Sequence, residues 1–288
     1  MIAQIVANSI IIGCVYAVIA FGFTLIYSTM NFFNMAYGVM VLVGAYSYYV
    51  FYHLLGWPIA IAAVLCCIIT AALMLAIDRV CYSRMRQKRV PSWSIVVISM
   101  GVALISESAI TIIFGARNLT VYHGFPRNFS IFGAYITTIQ VAELATAILI
   151  IVATTLFLRK TKTGTIIRAL ANDKQMALVI GLDVERIYGI ITVVGSILAS
   201  VAAVLVAMDT DIRPTMGGPV LLKAITCSII GGVGNFKGAL IAGLVLGLLE
   251  SITSVFLGSG WRDAVTLLIL VILMLTKPSY FGIQLTTA

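Results

Sequence analysis

An all-α bundle of membrane-crossing helices is the fold this sequence predicts, and three observations predict it. Hydrophobic residues make up 61% of the chain and charged residues only 10%. Apolar runs of the roughly 20 residues that a bilayer crossing needs recur from end to end. Basic residues gather in two short stretches between those runs, as they do beside membrane spans. The runs lie near 5–27, 32–55, 58–77, 93–115, 135–158, 187–208, 236–257 and 262–278, which gives about eight transmembrane helices. A shorter glycine-rich run at 219–234 either crosses or re-enters. Residues 1–288 therefore read as one transmembrane domain, with no length left for a second globular core.

The first run is preceded by no basic leader and followed by no small-residue cleavage site, so it reads as a retained span. The second follows a connection near residues 28–31 that is short enough to be a break within the membrane. Stretch 78–92 carries Arg79, Arg84, Arg86, Lys88 and Arg89. Stretch 159–186 carries Arg159, Lys160, Lys162, Arg168, Lys174 and Arg186. The excess of bases assigns both to the cytoplasm. The two spans between them then place 116–134, with only Arg117 and Arg127, on the outside, and counting back puts the N-terminus outside as well. These membrane-flanking stretches account for the net charge of +8, so the basic balance is no argument for nucleic acid. Cys14, Cys66, Cys67, Cys81 and Cys227 show no paired metal spacing and read as small packing residues.

Glycines and buried charges carry the rest of the pattern. Residues 231–247 combine a Gly-Gly-x-Gly turn with Gly238, Gly243 and Gly247 at helical spacing, a turn able to interrupt a helix followed by residues that allow close packing. Asn34 to Gly44 echoes it, with an Asn followed by glycines along an apolar helix. Paired interruptions of this kind often line a transporter's path. This makes Asn34, Tyr37, Gly38, Gly231, Gly232, Gly234 and Asn235 pathway candidates, with glycine packing and no ligand as the plainer alternative. Glu107, Glu143 and Glu250 lie inside apolar runs, where an ionised carboxylate costs at least ~2.5 kcal/mol. Each is a titrating site, a support for a cavity or subunit contact, or an interhelix hydrogen bonder. Lys223 opens the 219–234 segment, where it can cap carbonyls or snorkel. No catalytic constellation, metal site or phosphate-binding loop is present in the sequence; His53 and His123 are too few and too isolated.

The insert at 161–186 is polar in an otherwise lipid-soluble chain. Residues 165–179 contain no Pro or Gly, mix apolar with charged side chains, and are bracketed by Gly164 and Gly181, which predicts a short amphipathic helix. So short a helix needs something to pack against, either a membrane surface or a partner's groove.

These residues also resemble a family. Gly164, Arg168-Ala169, Asn172-Asp173, Ala177 and Gly181-Leu182 fall in the pattern of the cytoplasmic coupling loop of branched-chain amino acid ABC transporter permeases of the LivH/LivM type. Pro214-Thr215-Met216-Gly217, Leu221-Leu222-Lys223-Ala224, Gly231-Gly232-Val233-Gly234 and Gly238-Ala239 are similar to the family's next block. Asp78-Arg79-Val80 with Tyr82, and Ser99-Met100-Gly101-Val102, resemble an earlier one, and Asn34-Met35-Ala36-Tyr37-Gly38 an N-terminal one. Together they cover roughly residues 8–280, and the length fits the shorter, LivH-like member. Departures are Tyr37 for a usual His, Ile166 for a small residue, Arg84 for a common Pro and Asn235 for a common Ser.

The resemblance implies a multi-pass permease of the bacterial inner membrane, part of an importer for branched-chain or other hydrophobic amino acids. It implies a second, homologous permease subunit, two ATP-binding cassette subunits that hold ATP and Mg, a periplasmic substrate-binding protein, and no cofactor in this chain. The coupling loop would be 159–186, with Gly164, Arg168, Ala169, Asn172, Asp173, Ala177 and Gly181 meeting the ATPase. The same family includes permeases for urea, amides and aromatic acids. From a different class, an ion-coupled carrier using Glu107, Glu143 and Glu250 would transport without an ATPase.

Overall fold

The computed structural model describes residues 2–88, 90–121, 128–131, 133–172, 177, 181–232 and 234–276. Helix α1 (Ile2–Met30) ends where the chain bends at 31–36, and Asn31 takes a positive φ of 54° there. Helix α2 (Tyr37–Tyr48) continues as a π-helix to Leu54. Helix α3 (Ile59–Ile77) runs through a second π turn, Asp78–Tyr82, into α4 (Ser83–Gln87), and α5 (Ser92–Phe114) follows. Two four-residue strands, β1 (Asn128–Ile131) and β2 (Ala134–Thr137), pair antiparallel before α6 (Thr138–Lys160). Then come α7 (Lys162–Asn172), α8 (Val184–Asp209), α9 (Gly217–Gly231), α10 (Phe236–Phe256) and α11 (Arg262–Thr276).

Six of these are long and apolar enough to cross a membrane: Ile2–Met30, Ile59–Gln87, Ser92–Phe114, Thr138–Lys160, Val184–Asp209 and Phe236–Phe256. The run at 32–55 is helical only over residues 37–54, and there five tyrosines and His53 lower its hydropathy; its first residues form the bend instead. There the Asn34 side chain accepts from the Ala36 amide (3.0 Å), a local bond that competes with helix. The basic stretch 78–92 is largely helix rather than loop: no Pro or Gly occurs before Pro91, so α3 and α4 carry Arg79, Arg84 and Arg86 on one continuous rod. The hairpin is a departure from all-α, confined to eight residues too short to show as strands in a hydropathy profile.

The centre of the bundle is α1, packed most extensively against α10 and also against α8, α9 and α6. Small residues make that possible. A Cβ on Gly13 would meet Leu244 Cα at 2.8 Å, one on Gly243 would meet Ala17 Cα at 2.8 Å, and one on Gly247 would meet Gly13 Cα at 2.6 Å. With no water to expel from a lipid-solvated helix, such backbone approach is the main source of helix affinity. The outer helices α5 and α6 instead turn apolar side chains outward, among them Leu104, Ile105, Ile112, Leu149 and Val152, as helices facing lipid do.

Long-range polar contacts order the two ends. Gln4 donates to the Tyr135 carbonyl (3.0 Å) and accepts from its amide (2.8 Å), and Leu119 exchanges backbone bonds with Ile212. Gln4 near the N-terminus and Tyr135, and likewise Leu119 and Ile212, therefore meet outside the long helices, at the ends where α1 and α6 begin and α5 and α8 finish. At the opposite ends of α1 and α8, Tyr82 reaches Asn34 (3.3 Å) and Arg86 reaches Glu185, which brings the two basic stretches together.

Candidate functional site

At that second end α6 turns sharply into α7. Thr161 Oγ donates to the Phe157 carbonyl (2.6 Å) and accepts from the Gly164 amide (3.0 Å), capping the new helix. Gly164 is the hinge of closest approach: a Cβ there would lie 2.5 Å from the Leu158 backbone. From it a buried stripe runs along α7, Gly164, Ile167 and Leu170, three residues apart, which seats the helix on α6, α1 and α8. Thr165, Arg168, Ala169 and Asn172 occupy the opposite, exposed face. Ala177 is buried and its carbonyl accepts from the Leu182 amide (3.2 Å), while Gly181 is exposed with a positive φ of 76°. Asp173 lies outside the described residues.

At the root of α8, which α7 also touches, sits a clamp that the sequence did not disclose. Arg86 grips Asp78 with two bonds (2.9 and 3.1 Å) and Glu185 with two more (3.2 and 2.9 Å), and it stacks over the Tyr188 ring at 4.8 Å. Ser83 adds a bond to Glu185 (3.0 Å). Two carboxylates on one forked guanidinium fix the root of α8 to the α3–α4 rod, a geometry that lysine would not reproduce. The available signal was a carboxylate in each of two basic stretches, Asp78 and Glu185.

The interrupted segments come together around the later half of α1. Tyr37 is buried and its hydroxyl donates to the Ile19 carbonyl (2.8 Å), so α2 starts level with the middle of α1. Phe236 stacks on Phe21 (5.1 Å between centroids), so α10 starts about 13 Å short of the end of α1. Gly38 meets Gly217, a Cβ on either falling 2.7 Å from the other's carbonyl oxygen, and a Cβ on Gly238 would overlap the Gly231 carbonyl. Helix α9 thus touches α2 with its first residue and α10 with its last. Gly232 and Gly234 hold positive φ values of 83° and 82°, and Asn235 caps α10 by accepting from the Gly238 amide (3.1 Å). Asn34 is buried and Asn235 exposed.

Glu250 is fully buried and well partnered. It accepts from Tyr16 (2.5 Å) and Thr266 (2.7 Å) and pairs with Lys223 (3.3 Å), which also reaches Asp263 (3.1 Å) and lies over the Tyr16 ring. Lys223 is therefore the cation of an interhelix network joining α1, α9, α10 and α11. Glu143 is buried on α6, and its Oε1 has no hydrogen-bond partner among the described residues. Glu107 is half-buried on α5.

The family described as "Branched-chain amino acid transport system / permease component" matches residues 5–275, from the first turn of α1 to the last turn of α11. The chain belongs to this family. The permease is 29% identical to the high-affinity branched-chain amino acid transport system permease protein LivH of Escherichia coli (strain K12), over 94% of this chain and 92% of that one. It is 28% identical to BraD, the corresponding permease protein of Pseudomonas aeruginosa, over 96% and 94%. To a probable LivH of Methanocaldococcus jannaschii it is 27% identical, over 96% and 90%. Among solved structures, PsaBC from Streptococcus pneumoniae in complex with Fab aligns over 99% of this chain and 91% of that one, at 15% identity and a TM-score of 0.48. The permease is thus a multi-pass membrane protein of the LivH-like kind.

Proposed function

We propose that this permease is one membrane subunit of an ABC importer for branched-chain or other hydrophobic amino acids in a bacterial inner membrane. In this reading residues 1–288 form a single transmembrane domain, a second homologous permease subunit completes the path, and two separate cassette subunits hold ATP and Mg. A periplasmic binding protein delivers the solute, and no cofactor is held in this chain. The observation that carries the reading is α7: its apolar stripe is spent on its own bundle, yet Arg168, Ala169 and Asn172 are left facing outward beyond the spans. ATP-driven closure of the cassettes would push α7, and the Arg86 clamp would pass that push to α3 and α8. Main-chain groups at 31–36 and at Gly232, Gly234 and Asn235 would line the path, where helix ends offer dipoles to the two charged ends of an amino acid.

Arg168→Glu or Ala169→Glu is expected to lower ATP-dependent uptake at least about tenfold, the equivalent of about 1.4 kcal/mol of docking. Insertion, and hydrolysis by the isolated cassettes, should stay unchanged. Uptake at the wild-type rate in both variants would remove α7 from the coupling role. Sidedness is checked separately, with single cysteines at Lys88, Lys162 and Asn118 in a cysteine-free background. In intact cells an impermeant thiol reagent should label the Asn118 position and spare the other two; the reverse pattern inverts the topology.

A further inference from the structure

A cleft of about 560 Å³ lies between α3 and α8 beside the Arg86 clamp. Its wall is apolar, built from Leu75, Ile190, Val193 and Val194, and Gly189 keeps it wide, since even a Cβ there would touch Leu75 at 3.5 Å. Ile190 is exposed and Val193 and Val194 are half-buried, so the wall opens sideways toward lipid rather than enclosing a small solute. One turn beyond the wall, at the basic end, the mouth carries charge of both signs. Asp78, Asp183 and Glu185 line it together with Arg79 and Arg186, and Arg86, outside the lining but bonded to Asp78 and Glu185, offsets the third carboxylate. Arg86 is consumed by Asp78 and Glu185, and Arg186 pairs with Asp183 (2.6 Å). Arg79 is exposed and has no ion pair among the described residues.

We propose that this cleft binds one phosphatidylethanolamine molecule of the surrounding leaflet. Its phosphate sits on Arg79, its ammonium between Asp183 and the half-exposed Glu185, and one acyl chain lies along Leu75, Ile190 and Val193. The balanced mouth gives an anionic headgroup no net attraction, while a zwitterion finds a cation and an anion at opposite ends. A primary ammonium donates hydrogen bonds to carboxylates and a quaternary choline does not. From Arg186 to Val194 the wall climbs about 12 Å along α8, a depth that an acyl chain follows and a soluble subunit docked at the end does not. The inference rests on the chain crossing a membrane, not on what it transports.

The test is native mass spectrometry of the delipidated full-length chain given phosphatidylethanolamine, phosphatidylcholine or phosphatidylglycerol in mixed micelles. One phosphatidylethanolamine should be retained at concentrations where the other two are lost. Arg79→Ala and Val193→Trp should each weaken retention about tenfold or more, whereas Ile112→Trp on the exposed face of α5 should not. Size-exclusion profiles must match wild type, and Arg79→Lys should recover part of the Arg79→Ala loss. Equal retention of all three lipids, preference for phosphatidylglycerol, or full retention by Val193→Trp each overturns the site. So does release of the lipid on assembly with the other transporter subunits, which would assign the cleft to a protein.

Discussion

Lys223→Met is expected to destabilise the permease by about 3–5 kcal/mol, because it strands the buried Glu250 carboxylate without its cation. Glu250→Gln should be milder. Its amide oxygen can still accept from Tyr16, its amide nitrogen can donate to Thr266, whose hydroxyl turns to the Arg262 carbonyl, and the freed ammonium keeps Asp263 at 3.1 Å, which is more than half exposed. Combining the two substitutions should restore most of the loss, since neither charge is then left alone. Thermal unfolding of detergent-purified protein across the four-member cycle measures the coupling directly. Additive losses in the double variant would mean that the pair is not the unit of stabilisation. This network also bears on the carrier alternative, because Glu250 is already engaged by Tyr16, Thr266 and Lys223 from three other helices.

A single methyl group at Gly238 should be the most damaging small substitution in the chain. Its Cβ would overlap the Gly231 carbonyl, and neither partner is a side chain that can swing aside. Gly238→Ala is therefore expected to cost at least the ~1–3 kcal/mol typical of overpacking. Gly217→Ala and Gly38→Ala should behave alike, each placing a Cβ 2.7 Å from the other's carbonyl oxygen. Gly101→Ala is the internal control. Nothing lies within 4 Å of its Cβ, so the same substitution in mid-helix should be neutral or stabilise by up to ~1 kcal/mol. Fluorescence-detected gel filtration after a heat step ranks all four. If Gly238→Ala tracks Gly101→Ala, the backbone contact does not hold the helices together. The ranking matters for function too: a bulky residue at Gly38 would disrupt packing before it narrowed any path.

Hydropathy was enough to find the long helices, because a span needs only length and apolarity, and both are written locally. An amphipathic helix was visible too, but not its start: Gly164 reads as a bracket before residue 165, whereas α7 begins at Lys162 and buries Gly164 with Ile167 and Leu170 because that position needs the absence of a side chain against Leu158. Gly243 and Gly247 announced close packing by their spacing of four, and they do pack, on Ala17 and Gly13. What the sequence hid was partnership. Tyr16 and Glu250 are 234 positions apart, and nothing local in either says that they meet. The Arg86 clamp was hidden for a second reason: its bases looked like a solvated loop, although the missing helix breaker before Pro91 was there to be read. Lys223 was legible as a buried cation but not as the hub of a network, because its carboxylates come from two later helices.

The glycine contacts at the two ends of α9 make that helix a strut without play. Side chains at a helix interface can change rotamer and absorb a small displacement, but backbone resting on backbone cannot. A shift of α2 at Gly38 must therefore reach α10 at Gly231 and Gly238 almost undiminished, with Lys223 tying the same strut to α1 and α11 along its length. Helices α1, α2, α9, α10 and α11 are therefore expected to move as one block. Compliance is left to the flank where helices meet through side chains and lipid, α3 to α6, and it is to that flank that the Arg86 clamp is bolted.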